Sequence, residues 1–146
     1  MHVATARFGT VEFDRDEIIY FQGGILGMES CRSWVLLADA ENDVLGWLQS
    51  TQRGEVALAI VSPRRFVADY QIRVSRRDLE ALQIEKLEDL QALVTVAQGE
   101  SGCTLNLKAP LIFNVARRLG AQVVAKDDLP LQFEVPSHPT RLKKSA

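Results

Sequence analysis

Eleven residues, Thr104–Asn114 (TLNLKAPLIFN), carry the clearest strand signal in the chain. Leu105, Leu107, Ala109, Leu111 and Phe113, continuing to Val115, are apolar, and the alternate positions are Thr104, Asn106, Lys108, Pro110, Ile112 and Asn114. A repeat of two marks an extended segment that buries one face, so residues 103–115 are expected to form one long strand. Pro110 cannot donate to a ladder and pushes Ala109 to be extended, which predicts a bend, bulge or edge where the strand passes between sheets. The even face poses the functional question. Asn106, Lys108 and Asn114 either border a groove where asparagine satisfies another chain's backbone, or fasten the corner at Pro110 from within.

The N-terminal half reads as short strands separated by turns: residues 2–8, a turn at Gly9, residues 10–13, and residues 18–21 after the charged Asp14-Arg15-Asp16-Glu17. A glycine-rich loop, Gly23-Gly24-Ile25-Leu26-Gly27, leads to predicted strands over 33–37 and 44–50. After the Arg53-Gly54 turn, the almost continuously apolar 56–61 is expected near the centre of a sheet. Ser62-Pro63 has a hydroxyl cap and a proline at the first helical position, predicting a short helical turn. Phe66 and Tyr70 follow one turn apart, and either pack the core or anchor a partner helix.

Residues 71–74 are predicted as a strand. Ser75-Arg76-Arg77-Asp78 resembles a capping box and opens a helix with Leu79 and Leu82 on one face. The spacing of Ile84, Leu87 and Leu90 carries it to about Leu90, before the β-branched 92–97. A polar turn over 98–102 precedes the opening segment, and an Arg117–Gly120 turn precedes a strand over 121–125. About ten short strands and at most two short helices predict a mainly β chain, a small antiparallel β-barrel or sandwich. Residues 1–135 are expected to form one domain, and the basic tail, residues 136–146, to be disordered.

Composition fits that reading. A chain of 146 residues with 47% hydrophobic and 25% charged content can bury a core without disulfides or metal. No run approaches the ~18 apolar residues of a membrane span, and Met1–Arg7 is too polar for a signal peptide, so a cytoplasmic protein without membrane contact is expected. Cys31 and Cys103 are isolated, which suits two free thiols in a reducing compartment. His2 and His138 lie far apart without ligand-spaced neighbours, and no metal or cofactor is expected. The 17 basic residues less Arg141, Lys143 and Lys144 of the tail leave 14 against 19 acidic ones. A body of that sign is a poor nucleic-acid binder and suits a basic protein partner.

Catalytic motifs are missing: the sequence holds no GxxxxGK[ST], GxSxG or HExxH. Gly23, Gly24 and Gly27 precede a weak helix start, Met28-Glu29-Ser30, and read as a structural turn rather than a phosphate cradle. Glu88-Asp89 and Asp127-Asp128 read as solvated surface. Arg64, Arg65, Arg73, Arg76 and Arg77 form either an RNA footprint or solvated helix ends, with only Phe66 and Tyr70 available for stacking. A non-enzymatic binder of another macromolecule is the leading class, with an RNA- or small-ligand-binding β-barrel as the alternative.

Five runs in order carry a resemblance to the flagellar assembly factor FliW family. Gly24-Ile25-Leu26-Gly27-Met28 echoes the family's Gly-Ile-Pro-Gly-Phe loop, and Leu48-Gln49-Ser50 its Leu-Gln-Ser signature. Ser62-Pro63, Phe66 and Tyr70 stand where the family has Asn/Asp-Pro, Phe and Tyr. Asn106-Leu107-Lys108-Ala109-Pro110 with Asn114 is similar to its most specific run, closed by Gly120-Ala121-Gln122-Val123. The likeness spans about residues 2–125, with Leu26 in place of the loop proline and Met28 in place of the aromatic. It implies a regulatory protein without enzymatic activity that binds the translational repressor CsrA away from its RNA surface and alternatively binds cytoplasmic flagellin.

Overall fold

Apolar alternation and turn chemistry yield eleven strands among the described residues of the computed structural model, 1–100 and 102–135. They are β1 (His2–Thr5), β2 (Gly9–Glu12), β3 (Ile19–Phe21), β4 (Ser33–Ala38), β5 (Gly46–Ser50), β6 (Ala57–Val61), β7 (Leu90–Gly99), β8 (Gly102–Leu105), β9 (Leu111–Asn114), β10 (Leu119–Gln122) and β11 (Phe133–Glu134). One α-helix, α1 (Arg76–Ala81), and 3-10 turns at Arg15–Glu17, Pro63–Arg65 and Leu87–Asp89 complete the order. The expected basic tail lies outside the described residues.

β3 through β7 form an antiparallel meander; β9 pairs with β7, β10 with β9, and β10 with β3. Seven strands thereby close into a barrel. All of its pairings are antiparallel except the seam, where Leu119 faces Tyr20 and Gly120 faces Phe21 in parallel. Arg118, in the left-handed conformation at φ 55°, sets up the seam. Its carbonyl accepts from Tyr20 N (3.0 Å), and its guanidinium donates to the carbonyls of Asp16 and Glu17 (3.1 and 3.2 Å). The β1–β2 hairpin packs on one flank through Val3 and Phe13 against Ile18 and Val35, while β8 and β11 extend the far end of β7.

Large side chains fill the barrel. Phe21, Trp34, Leu48 and Leu111 are all 0% exposed, each removing enough apolar surface from water to contribute about 1.5–3 kcal/mol. Phe21 meets Phe113 edge-to-face at 5.6 Å. Cys31 is buried among them, and the half-buried Cys103 donates its thiol hydrogen to Gln98 Oε1 (3.2 Å). A hollow of about 20 Å³ beside Ile19, Leu36, Leu93 and Phe113 has room for roughly one water, not for an organic ligand.

The long strand expected over 103–115 is two strands. Leu105 faces Val96 and Leu111 faces Leu93, so the five residues Asn106–Pro110 pass where β7 supplies only Val94 and Thr95. They loop outward, and their carbonyls are satisfied elsewhere: Lys108 O by Ala125 N (2.7 Å), Ala109 O by Gln122 Nε2 (3.2 Å), Pro110 O by Val123 N (3.1 Å). The proline does stand at the corner where β8, which pairs with β11, gives way to β9 of the barrel. Leu107 and Ala109 are nonetheless buried, which is why the alternation ran unbroken through the loop.

Further expectations change. Residues 71–74 make no ladder: Ile72 and Val74 are apolar because they pack beside Leu82, Ile112 and Val123. The helix predicted to reach Leu90 stops at its cap Leu82, because Gln83 turns left-handed at φ 56°. The start holds, with Ser75 Oγ accepting from Asp78 N (3.1 Å). At the hairpin, Gly9 opens β2 rather than forming the turn; the strand expected over 121–125 is β10, Leu119–Gln122, and β11 follows where no strand was expected.

Candidate functional site

The residues singled out on the polar face lie apart, Asn106 beside Thr95 and Asn114 opposite Leu90, with most of their polar atoms turned inward. Asn106 Oδ1 accepts from Lys108 N (3.1 Å) and Ala109 N (3.0 Å), an Asx turn that shapes the loop before Pro110. Lys108 Nζ donates to Asp127 O (2.7 Å). Asn114, 2% exposed, makes four bonds to backbone. Its Nδ2 donates to Leu82 O (2.8 Å) and Gln83 O (3.1 Å), and its Oδ1 accepts from Ala116 N and Arg117 N (both 3.1 Å). It ties the end of α1 to the turn after β9, and its hydrogen-bonding capacity is spent.

Phe66 is half-buried, and Tyr70 is 5% exposed, both in the cluster with Val61, Val94, Leu105 and Leu107. Tyr70 Oη donates to Leu107 O (2.7 Å). Burial pushes its ionisation up to about 12, since the phenolate is poorly solvated there. The polar atoms of Asn114 and Tyr70 are thus engaged within the fold, and Tyr70 also lines a surface groove beside Ile72. A folded-state value above the usual one of about 10 stabilises the fold fully below pH 10 and is lost as pH rises toward 12. Tyr70→Phe is expected to abolish this alkaline loss, while costing about 1–2 kcal/mol at neutral pH for the unpaired Leu107 carbonyl. Urea unfolding at pH 7 and across pH 9–12 checks both parts.

Two more motif positions build turns. Gln49, 0% exposed, donates through Nε2 to Ser50 O (2.9 Å), Gly54 O (3.3 Å) and Val56 O (3.1 Å), and Ser50 Oγ accepts from Gln52 N and Arg53 N. Leu26, where the family pattern has proline, donates its own N–H to Gln122 Oε1 (2.9 Å), a bond no proline makes. Gln122 Nε2 binds Ala109 O in turn, so one side chain links the glycine-rich loop to the Asn106–Pro110 excursion.

What the surface does offer is a groove of about 480 Å³ beside β7. Ile72, Ala92 and Ile112 line it with apolar surface, and Arg64, Gln71 and Gln91 give it polar sides. Arg64 Nε donates to Tyr70 O (3.2 Å), bracing the lining segment against the 3-10 turn. Arg64, Arg65, Arg73, Arg76 and Arg77 are all exposed on this stretch. Sequence reasoning passed over the groove because its wall, residues 71–74, read as a paired strand. No helix among the described residues is long and apolar enough to cross a membrane.

The family model described as FliW protein matches residues 2–135. The chain is 35% identical to the flagellar assembly factor FliW of Magnetococcus marinus, over all of this chain and 93% of the relative. It is 32% identical to that of Bdellovibrio bacteriovorus, over 88% of this chain and 74% of the relative. A crystal structure of the flagellar assembly factor FliW superposes with a TM-score of 0.87 at 27% identity, covering 95% of this chain and 99% of the other.

Proposed function

This chain belongs to the FliW family of flagellar assembly factors, and we infer that it works by docking onto other proteins. Its relatives are named for assembly, not for a reaction. Our reading is that it acts in the cytoplasm without catalysis, by docking onto two proteins in turn. Flagellin occupies it while awaiting secretion; once flagellin leaves, the freed factor binds the translational repressor CsrA, RNA is released, and flagellin translation resumes.

The observation that carries this reading is the family match over residues 2–135. Physical chemistry supports it at two points. A body with 14 basic against 19 acidic residues steers toward a basic RNA-binding partner and repels RNA held there. Antagonism from a separate site needs only about 1–3 kcal/mol of coupling, which changes RNA affinity about 5- to 150-fold, and RNA must weaken this chain's binding by the same factor.

The test is titration of the purified chain into CsrA loaded with labelled RNA, with and without flagellin. RNA release that flagellin suppresses is expected, with reciprocal weakening of the CsrA complex by RNA. Absence of binding to either protein removes the reading, and salt-dependent RNA binding by the chain alone replaces it.

A further inference from the structure

We propose that the groove beside β7 receives an extended, acidic segment of a protein partner, which adds a strand to the free edge of β7 at Leu90–Ala92. The proposal deepens the reading of this chain as a docking protein and rests on it.

Ladder geometry carries the argument. In antiparallel pairing, successive residues turn their N–H and C=O to opposite edges. Val115 N donates to Asp89 O (3.0 Å) and Asn106 N to Thr95 O (3.1 Å), so the odd-numbered residues of this strand face β9 and β8. Leu90, Ala92 and Val94 therefore face the other edge. There Val94 meets Val61 of β6, and the next rung would set residue 63 opposite Ala92. That residue is Pro63. It has no N–H, and its carbonyl is taken by Phe66 N (3.1 Å) and Val67 N (2.9 Å) within the 3-10 turn. The ladder stops, leaving Ala92 N–H and C=O without a ladder partner among the described residues. Leu90 donates its N–H back to Leu87 O, and its carbonyl points to the same edge.

The groove lies along this edge, so the unpaired groups face open space that a strand can enter. Such an edge asks for both a donor and an acceptor at backbone spacing, which a peptide supplies and a phosphodiester chain, lacking N–H groups, does not. Alternate side chains of the incoming strand would fall on Ile72 and Ile112 or point to solvent.

Charge selects the class of peptide. Between Ser62 and Arg77 the sequence has five arginines and one acid, Asp69, in a chain whose net charge is -2. Arg64 lines the groove, and Arg73 lies between the lining residues Ile72 and Val74. Only Arg73 of the five forms an ion pair among the described residues, with Asp127 (3.1 Å), and its side chain stays 82% exposed. The guanidinium groups of Arg65, Arg76 and Arg77, without side-chain bonds among the described residues, are available to carboxylates, which arginine binds in bidentate fashion.

The test uses the labelled chain and four probes: acetyl-(Glu-Val)4-amide, the matched Lys-Val peptide, a Glu-Val peptide with proline at a central valine, and a short oligouridylate. The Glu-Val peptide is expected to slow amide exchange at Ala92 at least about tenfold, the other probes leaving it unchanged. Arg65→Glu, which reverses an exposed charge whose side chain makes no hydrogen bond among the described residues, should weaken peptide binding about tenfold, and Arg64→Gln should do so in part. Unaltered exchange at Ala92, equal binding of the Lys-Val peptide, or protection of Ala92 by the oligouridylate overturns the proposal. Binding of CsrA or flagellin with Ala92 unprotected by either also overturns it, while leaving the docking function intact.

Discussion

Asn114→Ala is expected to cost about 3–4 kcal/mol of folding stability, read as a lowered urea midpoint with an unchanged slope. The side chain is 2% exposed and satisfies four backbone groups, two carbonyls at the end of α1 and two N–H groups of the next turn. Each orphaned buried group costs about 1–3 kcal/mol. The sum is not reached, because Ala116 and Arg117 lie at the exposed surface, where water replaces the lost acceptor. Against a total of about 5–15 kcal/mol, the loss is large. Asn114→Asp keeps an acceptor for Ala116 and Arg117 but sets a carboxylate against the Leu82 and Gln83 carbonyls. Its damage should be comparable at pH 7 and smaller near pH 4, where protonation restores a donor. An alanine variant within about 1 kcal/mol of the parent would refute the fastening role.

Gly120→Ala is expected to be nearly as damaging, by about 2–3 kcal/mol. A Cβ there would stand 2.5 Å from Cε1 and Cζ of Phe21, closer than unbonded carbons approach. The ring cannot step aside, since Phe21 is 0% exposed and held edge-to-face by Phe113. Overpacking of a filled core costs about 1–3 kcal/mol, and the site coincides with the two-residue seam that closes the barrel. Phe21→Leu should recover part of the loss in the double variant, because the smaller side chain frees the space a methyl needs. Thermal unfolding of the two single variants and the double variant measures it; additive losses would show that the clash is not the cause.

These effects also explain what could be read in advance. Strands from β1 to β6 were legible because turn residues separate short apolar runs, β7 only through its β-branched 92–97, and Ser75 announced α1. The glutamine and asparagines of the family pattern were visible, their work was not. Asn114 bonds residues 31 and 32 positions away, and no local periodicity records such a partner. Leu107, Ala109, Ile72 and Val74 mislead for one reason: burial by neighbouring elements gives a loop the alternation of a strand. The parallel seam was equally hidden, since β10 and β3 take their registers from each other. The groove beside β7 exists because of Pro63, which sequence reading placed correctly at a helical turn without showing what edge it exposed.

The parallel seam also bears on how the molecule is made. Tyr20 and Phe21 leave the ribosome long before Leu119 and Gly120, so the nascent chain must wait with an open sheet whose β3 edge lacks its neighbour. Joining segments so distant in sequence is entropically costly and slow. Closure then falls after most of the chain is synthesised, and until that moment the unfinished sheet is the species at greatest risk of sticking to another copy.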